Sequence, residues 1–148
     1  MLGRTPAQTT IYLEAYPSMA KDINTYAKEL EALGFVIASA WHKRQWTKSY
    51  RSADGESACF LQEPSLHSEL LKINQADMMI VWPGGTSNKT WIKVGYAAAC
   101  GLRILCVGGQ GLVEDVQKFF LLRVDTWEDL QRNEFLKLGT LRYKRPRL

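Results

Sequence analysis

The chain has 148 residues, 46% of them hydrophobic, which fits one packed domain and excludes a disordered chain or one that needs disulfides to fold. Its formal net charge is +4, and four positive charges lie in the last seven residues, at Arg142, Lys144, Arg145 and Arg147. Because the remainder is nearly neutral, we do not expect a nucleic-acid partner. We expect a domain over 1–138 and a basic tail over 139–148 that is solvated, with contact to phosphate or to an acidic partner as the alternatives.

The first part of the sequence predicts a strand, a helix and a second strand. The β-type run over 11–15 ends before Pro17, and Ser18 is a suitable N-cap for the helix that follows. Apolar residues then recur at helical spacing until Gly34, which provides a stop. Residues 35–40 predict a buried strand, and the three elements together form one βαβ unit.

A long polar segment follows this unit. Residues 41–64 carry many cationic and aromatic side chains without a clear period, and they predict a long loop of the kind that often has a function. The pattern then predicts a helix over 66–76 and a strand over 78–82. A glycine-rich turn over 83–88 ends this strand.

The last third continues the alternation of helices and strands. It predicts a helix over 91–100, a strand over 103–107, a short helix over 114–119, a strand over 121–124 and a last helix from Thr126 to about Lys137. Such alternation predicts a parallel sheet covered on both faces. We therefore expect a single-domain, doubly wound α/β fold of the Rossmann or flavodoxin type, with five mostly parallel strands.

In such a fold, ligands bind beyond the carboxyl ends of the strands. This rule places residues 12–18, 41–64, 83–93 and 108–111 around one crevice. The turn over 83–88 precedes a helix start, which favours an anion such as phosphate, although a turn that merely links strand to helix explains its glycines as well. The sequence contains neither GxGxxG nor GxxxxGK[ST], which argues against a dinucleotide site or a P-loop.

The segment Lys93-Val94-Gly95-Tyr96-Ala97, followed by a glycine and a strand, is similar to the core of the nucleoside 2-deoxyribosyltransferase family, which there reads acid-Leu-Gly-Tyr-Ala. Weaker similarities keep the same order over about 11–130 and include Ser39-x-Trp41 and Ala76-Asp77. The resemblance implies the deoxyribosyltransferase type of sheet and a pocket for a nucleoside or nucleotide. It also implies a homodimer or larger homo-oligomer.

The family resemblance also implies a chemistry. A glutamate attacks the anomeric carbon of the sugar, and water or a second base accepts the sugar, as in retaining glycosidases. Lys93 stands where the resemblance places that glutamate, and an ammonium repels an oxocarbenium-like centre. We therefore expect a nucleoside- or nucleotide-binding protein whose transferase or hydrolase activity is lost or uses another acid, Glu14 or Asp77.

Three roles for Lys93 remain open. The ammonium can bind a phosphate or carboxylate of a ligand. It can form a salt bridge with Glu14, because Glu14 ends the first strand and Lys93 opens a helix at the same crevice. It can also attack a sugar carbon and form a Schiff base, which requires a lowered pKa.

The predicted site combines these residues with others around the crevice. The catalytic candidates are Lys93, Glu14 and Asp77. The substrate-binding candidates are Tyr12, Trp41, Gly84, Gly85, Ser87, Asn88 and Tyr96. Stacking on a base and core packing are both open for Trp41, whereas Tyr96 is expected to pack rather than react.

No metal or cofactor is expected. His42 and His67 lie far apart with no carboxylate or cysteine at ligand spacing, so we place both at the surface. The three cysteines, with no CxxC spacing, fit reduced cysteines in a cytoplasmic protein, and no apolar run approaches the roughly 18–20 residues of a membrane span.

Two further functional classes stay open. Pro83-Gly84-Gly85 weakly resembles the Pro-Gly-Gly-x-Gly-Thr-x-x-Glu pattern of the phosphoribohydrolases, which release a base from a nucleoside monophosphate. Ser87 replaces a glycine of that pattern and Trp91 its glutamate. The other class is a non-enzymatic interaction module with an empty pocket.

Overall fold

The computed structural model describes residues 8–43, 65–84 and 88–133 together with Arg145. The strands are β1 (Thr10–Glu14), β2 (Val36–Ile37), β3 (Met78–Val81), β4 (Arg103–Val107) and β5 (Leu122–Val124). The helices are α1 (Ala20–Ala32), α2 (Leu66–Gln75), α3 (Asn88–Ala99), α4 (Glu114–Gln117) and α5 (Trp127–Arg132). The strands pair in parallel in the order β2-β1-β3-β4-β5, which confirms the predicted doubly wound fold.

The centre of the sheet is buried on both faces. β3 is fully buried over all four residues, as its uninterrupted apolar sequence predicts for a central parallel strand. On one face, Tyr26 of α1 and Trp127 of α5 stack together and lie against Trp82, which directly follows β3. On the other face α2 and α3 pack side by side, Lys93 of α3 contacts Glu14 at the end of β1, and Glu69 of α2 contacts Lys93.

The second strand is shorter than predicted, because side chains take over its hydrogen bonds. After Ala38 donates its N–H to the Ile11 carbonyl, the chain leaves the ladder. Ser39 Oγ then accepts from the Leu13 N–H at 3.1 Å, and the Trp41 indole donates to the Leu13 carbonyl at 2.8 Å. The backbone of β1 is thus satisfied without further strand residues.

Helix boundaries agree in part with the predictions. Ser18 is not an N-cap, since residues 17–19 form a 3-10 turn and α1 begins at Ala20 without a side-chain cap. Gly34 ends this helix as predicted, with φ of 101°. Thr126 caps α5 by accepting the Asp129 N–H at 3.1 Å, whereas the predicted end near residue 137 lies outside the described residues.

Arg145 is docked on the domain rather than solvated as predicted. It lies at the amino edge of the sheet, by which we mean the end at which the parallel strands begin. Its backbone N–H donates to Asp77 Oδ1 at 2.9 Å. Its guanidinium donates to the carbonyls of Ala76 at 3.0 Å and Cys100 at 2.7 Å, and also to that of Asn74. The other basic residues of the tail lie outside the described part of the chain. In the described ranges, none of the helices has the length and apolar character needed to cross a bilayer.

Candidate functional site

A buried polar cluster lies where β1 ends. β1 and β3 are neighbours from which the sheet is wound in opposite directions, so their carboxyl ends form the switch point at which doubly wound folds bind ligands. The members of the cluster are each at most 5% exposed: Tyr12, Glu14, Glu69, Thr90 and Lys93. We call this group the switch-point cluster.

Lys93 holds the switch-point cluster together. Its Nζ donates to Glu14 Oε1 at 3.0 Å and lies 2.8 Å from Glu69 Oε2. Both contacts are ion pairs, and Lys93 is thus held between the two carboxyl groups. Thr90 Oγ1, one turn before Lys93 on α3, donates to Glu14 Oε2 at 2.9 Å.

Burial and charge shape the ionisation of the switch-point cluster. Burial raises the pKa of Glu14 to about 6, although the Lys93 charge and the hydrogen bonds from Lys93 and Thr90 oppose this. Burial acts to lower the pKa of Lys93, but Glu14 and Glu69 outweigh it and the net shift is upward. The cluster combines two acidic side chains with one basic side chain, so its acidic groups outnumber its basic ones.

Tyr12 adds an unusual hydroxyl to this group. It lies two residues before Glu14 on β1, and both side chains therefore lie on the same face of the sheet. Burial raises the pKa of Tyr12, and the charges of Glu14 and Glu69 raise it further, so the phenol stays protonated. A hydrogen bond with Glu69 acts in the same direction, so Tyr12 and Glu69 are neighbours in the cluster.

The contact between Lys93 and Glu14 confirms the predicted salt bridge. The other two roles fit the structure poorly. A Schiff-base nucleophile needs a lowered pKa, whereas the pKa of Lys93 is raised. An ammonium that two buried carboxylates already neutralise has little remaining attraction for a phosphate.

The sequence analysis did not place Glu69 or Thr90 in the site. Glu69 and Ile73 are one turn apart on α2, and both are buried. An acidic residue in register with the apolar face of a helix is the signal that identifies Glu69 as buried. Thr90 is three residues before Lys93 and therefore lies on the same face of α3.

The placement of Asp77 in the crevice was wrong. Asp77 precedes β3 at the amino edge of the sheet, where its Oδ2 accepts the Thr10 N–H at 3.0 Å and its Oδ1 accepts the Arg145 N–H at 2.9 Å. Thr10 and Glu14 are the two ends of β1, about 13 Å apart at roughly 3.3 Å per residue. Asp77 therefore cannot act together with Lys93 or Glu14 on one ligand atom.

Two aromatic candidates also have other roles. Trp41 is buried and its indole is bonded to the backbone of β1, which excludes stacking on a base in this arrangement. The hydroxyl of Tyr96 lies near Cys100 and Arg145, at the amino edge of the sheet. It therefore does not face the crevice.

The turn after β3 is only partly described. Gly84 is exposed, and a Cβ at this position would lie 3.3 Å from the ring of Tyr16. Asn88 is exposed at the start of α3. The predictions for Gly85 and Ser87 fall outside the described residues.

His42 is buried, which corrects its predicted surface position. Its Nε2 lies 2.9 Å from Ser39 Oγ and its Nδ1 lies 2.7 Å from Asn24 Oδ1. Burial, helped by the Lys43 charge, lowers the pKa of His42 to about 4, so the ring is neutral at physiological pH. Both ring nitrogens serve to hold the segment after β2, and Ser39 Oγ also accepts from β1.

No group of three or more histidine, cysteine, aspartate or glutamate side chains within the described residues could hold a metal ion.

Comparisons with known proteins bear on the fold. No protein-family model matches the chain, and no curated protein matches its sequence. Among solved structures, a 2-deoxyribosyltransferase from Bacillus psychrosaccharolyticus aligns over 94% of this chain and 100% of its own, with 16% identity and a TM-score of 0.61. A conserved protein from Enterococcus faecalis V583 aligns over 88% of this chain and 98% of its own, with 16% identity and a TM-score of 0.54.

A third solved structure, the CMP N-glycosidase BcmB from Clostridium botulinum, aligns over 78% of this chain and 87% of its own, with 19% identity and a TM-score of 0.49. This last likeness is too weak to support an argument. The likeness to the Bacillus psychrosaccharolyticus protein shows that the chain shares the fold of a 2-deoxyribosyltransferase over nearly its whole length.

Proposed function

We propose that the protein binds a nucleoside or nucleotide at the switch-point cluster and that Lys93 is the counter-ion of two carboxylates there, so that the glutamate chemistry implied by the family resemblance does not operate. The observation that carries the proposal is the position of Lys93 Nζ, 3.0 Å from Glu14 and 2.8 Å from Glu69. Charges buried in a core cost stability, and apolar residues of similar size often replace them without loss. A cluster of buried charges that lies in a crevice therefore indicates a binding site rather than a contact that stabilises the core.

The charge balance of the switch-point cluster indicates which part of the ligand lies against it. Because the carboxylates outnumber the ammonium, the cluster favours neutral hydroxyl groups over a phosphate. Glu69 supplies an acceptor and the Tyr12 hydroxyl a donor, so a hydroxyl of the ligand can form hydrogen bonds of both kinds in this cluster. We expect the sugar of the ligand to face these groups and any 5′-phosphate to lie elsewhere.

A second candidate is an active N-glycosidase or deoxyribosyltransferase with a rearranged acid. Glu14 has a pKa of about 6, which suits a group that must both give and take a proton. Glu14 Oε1 lies 3.0 Å and Glu69 Oε2 lies 2.8 Å from one nitrogen, so these oxygens are less than about 6 Å apart, which is compatible with the roughly 5–5.5 Å between the carboxyl groups of retaining glycosidases. In this scheme one carboxylate attacks the anomeric carbon as the bond to the base breaks, and the other group, as a carboxylic acid, protonates the departing base. Water or a second base then displaces the carboxylate from the sugar, and Lys93 has to move from between the two groups.

One experiment separates the candidates. The protein is incubated with ribo- and deoxyribonucleosides and their 5′-monophosphates, and both the melting temperature and the free base are measured in the same wells. A rise in melting temperature without base release supports the binding protein. Base release that Glu14→Gln or Glu69→Gln abolishes supports the glycosidase, and the exposed control Glu31→Gln must leave it unchanged.

A negative result is also informative. If no nucleoside or nucleotide shifts the melting temperature and no base is released, both candidates are wrong. An interaction module is then the better description.

A further inference from the structure

Arg145 joins the three elements that carry the charged residues of the switch-point cluster. Its guanidinium binds carbonyls at the end of α2 and just after α3, and its backbone binds Asp77. Asp77 in turn accepts the N–H of Thr10, the first residue of β1. At the opposite edge of the sheet, α2 supplies Glu69, α3 supplies Lys93 and β1 supplies Glu14.

We propose that Arg145 is a positioning residue for the switch-point cluster and that it acts through α2 and α3. The last carbonyls of a helix lack partners within the helix and carry a partial negative charge. A guanidinium presents several donors in one rigid plane, so a single side chain can hold two helix ends at a defined separation.

The distances involved are short enough for the effect to reach the cluster. Glu69 lies five residues before Asn74 and Lys93 seven residues before Cys100, which correspond to about 7.5 and 10.5 Å along the helix axes. The contacts of Lys93, at 2.8 and 3.0 Å, already lie near the optimum for charged pairs. A shift of one helix along the other by a fraction of a turn therefore breaks one of them.

The consequence for ligand binding rests on the proposed function, whereas the effect on the cluster does not. The test accordingly uses the protein without a ligand. Lysine ammonium protons become visible by 15N NMR when their exchange with water is slow, as expected for a buried Lys93 held by two carboxylates. The rate of this exchange measures the integrity of the cluster directly.

Arg145→Ala should increase the exchange rate of the Lys93 ammonium by roughly tenfold, as the loss of a charge-assisted hydrogen bond would produce. Arg145→Lys should give an intermediate rate, because an ammonium has no planar fork to span the same carbonyls. The exposed Arg132, in an ion pair with Asp129, provides the surface control Arg132→Ala, which should leave the rate unchanged.

A second control separates positioning from general destabilisation. Leu130→Ala creates a cavity in α5, away from the cluster, and should lower stability without opening the site. The proposal is overturned if Arg145→Ala leaves the exchange rate at the wild-type value, or if Leu130→Ala raises it equally at the same loss of stability. If Arg145→Ala does not fold, the comparison of Arg145→Lys with Leu130→Ala gives the decision.

Discussion

Lys93 determines the charge balance of the crevice. Its ammonium is the basic group in contact with Glu14 and Glu69, and all three side chains are almost completely buried. Removing one partner of a buried ion pair leaves uncompensated charge and costs about 3–5 kcal/mol. In this protein the loss of Lys93 would leave two carboxylates facing each other.

We therefore expect Lys93→Met, which keeps the length of the side chain, to lower the free energy of unfolding by about 3–5 kcal/mol at pH 7. The loss should be smaller at pH 4.5, because burial raises the pKa of Glu14 to about 6 and the carboxyl is then neutral. Urea unfolding at both pH values measures the difference.

Two variants serve as controls for the Lys93 prediction. Combining Lys93→Met with Glu14→Gln and Glu69→Gln should recover most of the loss, since no buried charge remains. Lys118→Met removes an exposed partner of Asp115 and should change stability by less than about 1 kcal/mol. An equal loss at both pH values would mean that Lys93 acts through packing instead of charge.

At the scale of the elements, the bounds of regular helices and strands could be predicted from the sequence. The irregular segment that pairs with β1 after β2 could not. β4 was predicted with its correct bounds, and α2 to within one residue, because their apolar periodicity is clear. Residues 35–40 have an apolar pattern that favours a strand, yet only Val36–Ile37 forms one. Periodicity cannot detect that the side chains of Ser39 and Trp41 replace backbone groups in pairing with β1.

The role of Trp41 can be tested by comparison with Trp127, because both side chains are 4% exposed. Trp41→Phe removes the donor of the buried Leu13 carbonyl and should cost about 1–3 kcal/mol beyond the change in packing. Trp127→Phe removes a bond to the carboxylate of Glu29, an exposed residue that water can solvate, so its polar cost should be smaller. Chemical denaturation of both variants gives the comparison, and equal losses would contradict a structural role for the Trp41 indole.

At the scale of the whole molecule, the sequence could predict at which end of the strands the buried pair of Glu14 and Lys93 lies, but not every residue of the switch-point cluster. The pairing of Glu14 with Lys93 followed from a strand end and a helix start at one crevice, and the structure contains it. Asp77 was misplaced because the acid precedes its strand and thus belongs to the opposite edge. The docking of Arg145 depends on contacts more than 40 residues away in sequence, which no local pattern records.

The pH dependence of stability combines two buried groups with opposite effects. Glu14 has a pKa of about 6 in the folded protein against an ordinary 4.5, so its ionisation destabilises the fold. Its contribution is present in full below pH 4.5 and is lost as the pH rises through 6, which amounts to about 2 kcal/mol. His42 has a pKa of about 4 against an ordinary 6.5, so its contribution is present above pH 6.5 and is lost as the pH falls through 4.

Between pH 4.5 and 6 the two contributions therefore partly cancel in the wild type, and single variants should separate them. The stability of Glu14→Gln relative to the wild type should rise by about 2 kcal/mol from pH 4.5 to just above pH 6, because only the wild type ionises a buried carboxyl there. His42→Gln should lose stability relative to the wild type over the same range, because the advantage of a neutral buried ring is absent. Urea unfolding in steps of pH measures both differences, and contributions from groups that do not interact with the substituted residue cancel in each comparison. If both stability differences change in the same direction as the pH rises, then either the pKa of Glu14 is not raised or the pKa of His42 is not lowered in the folded protein.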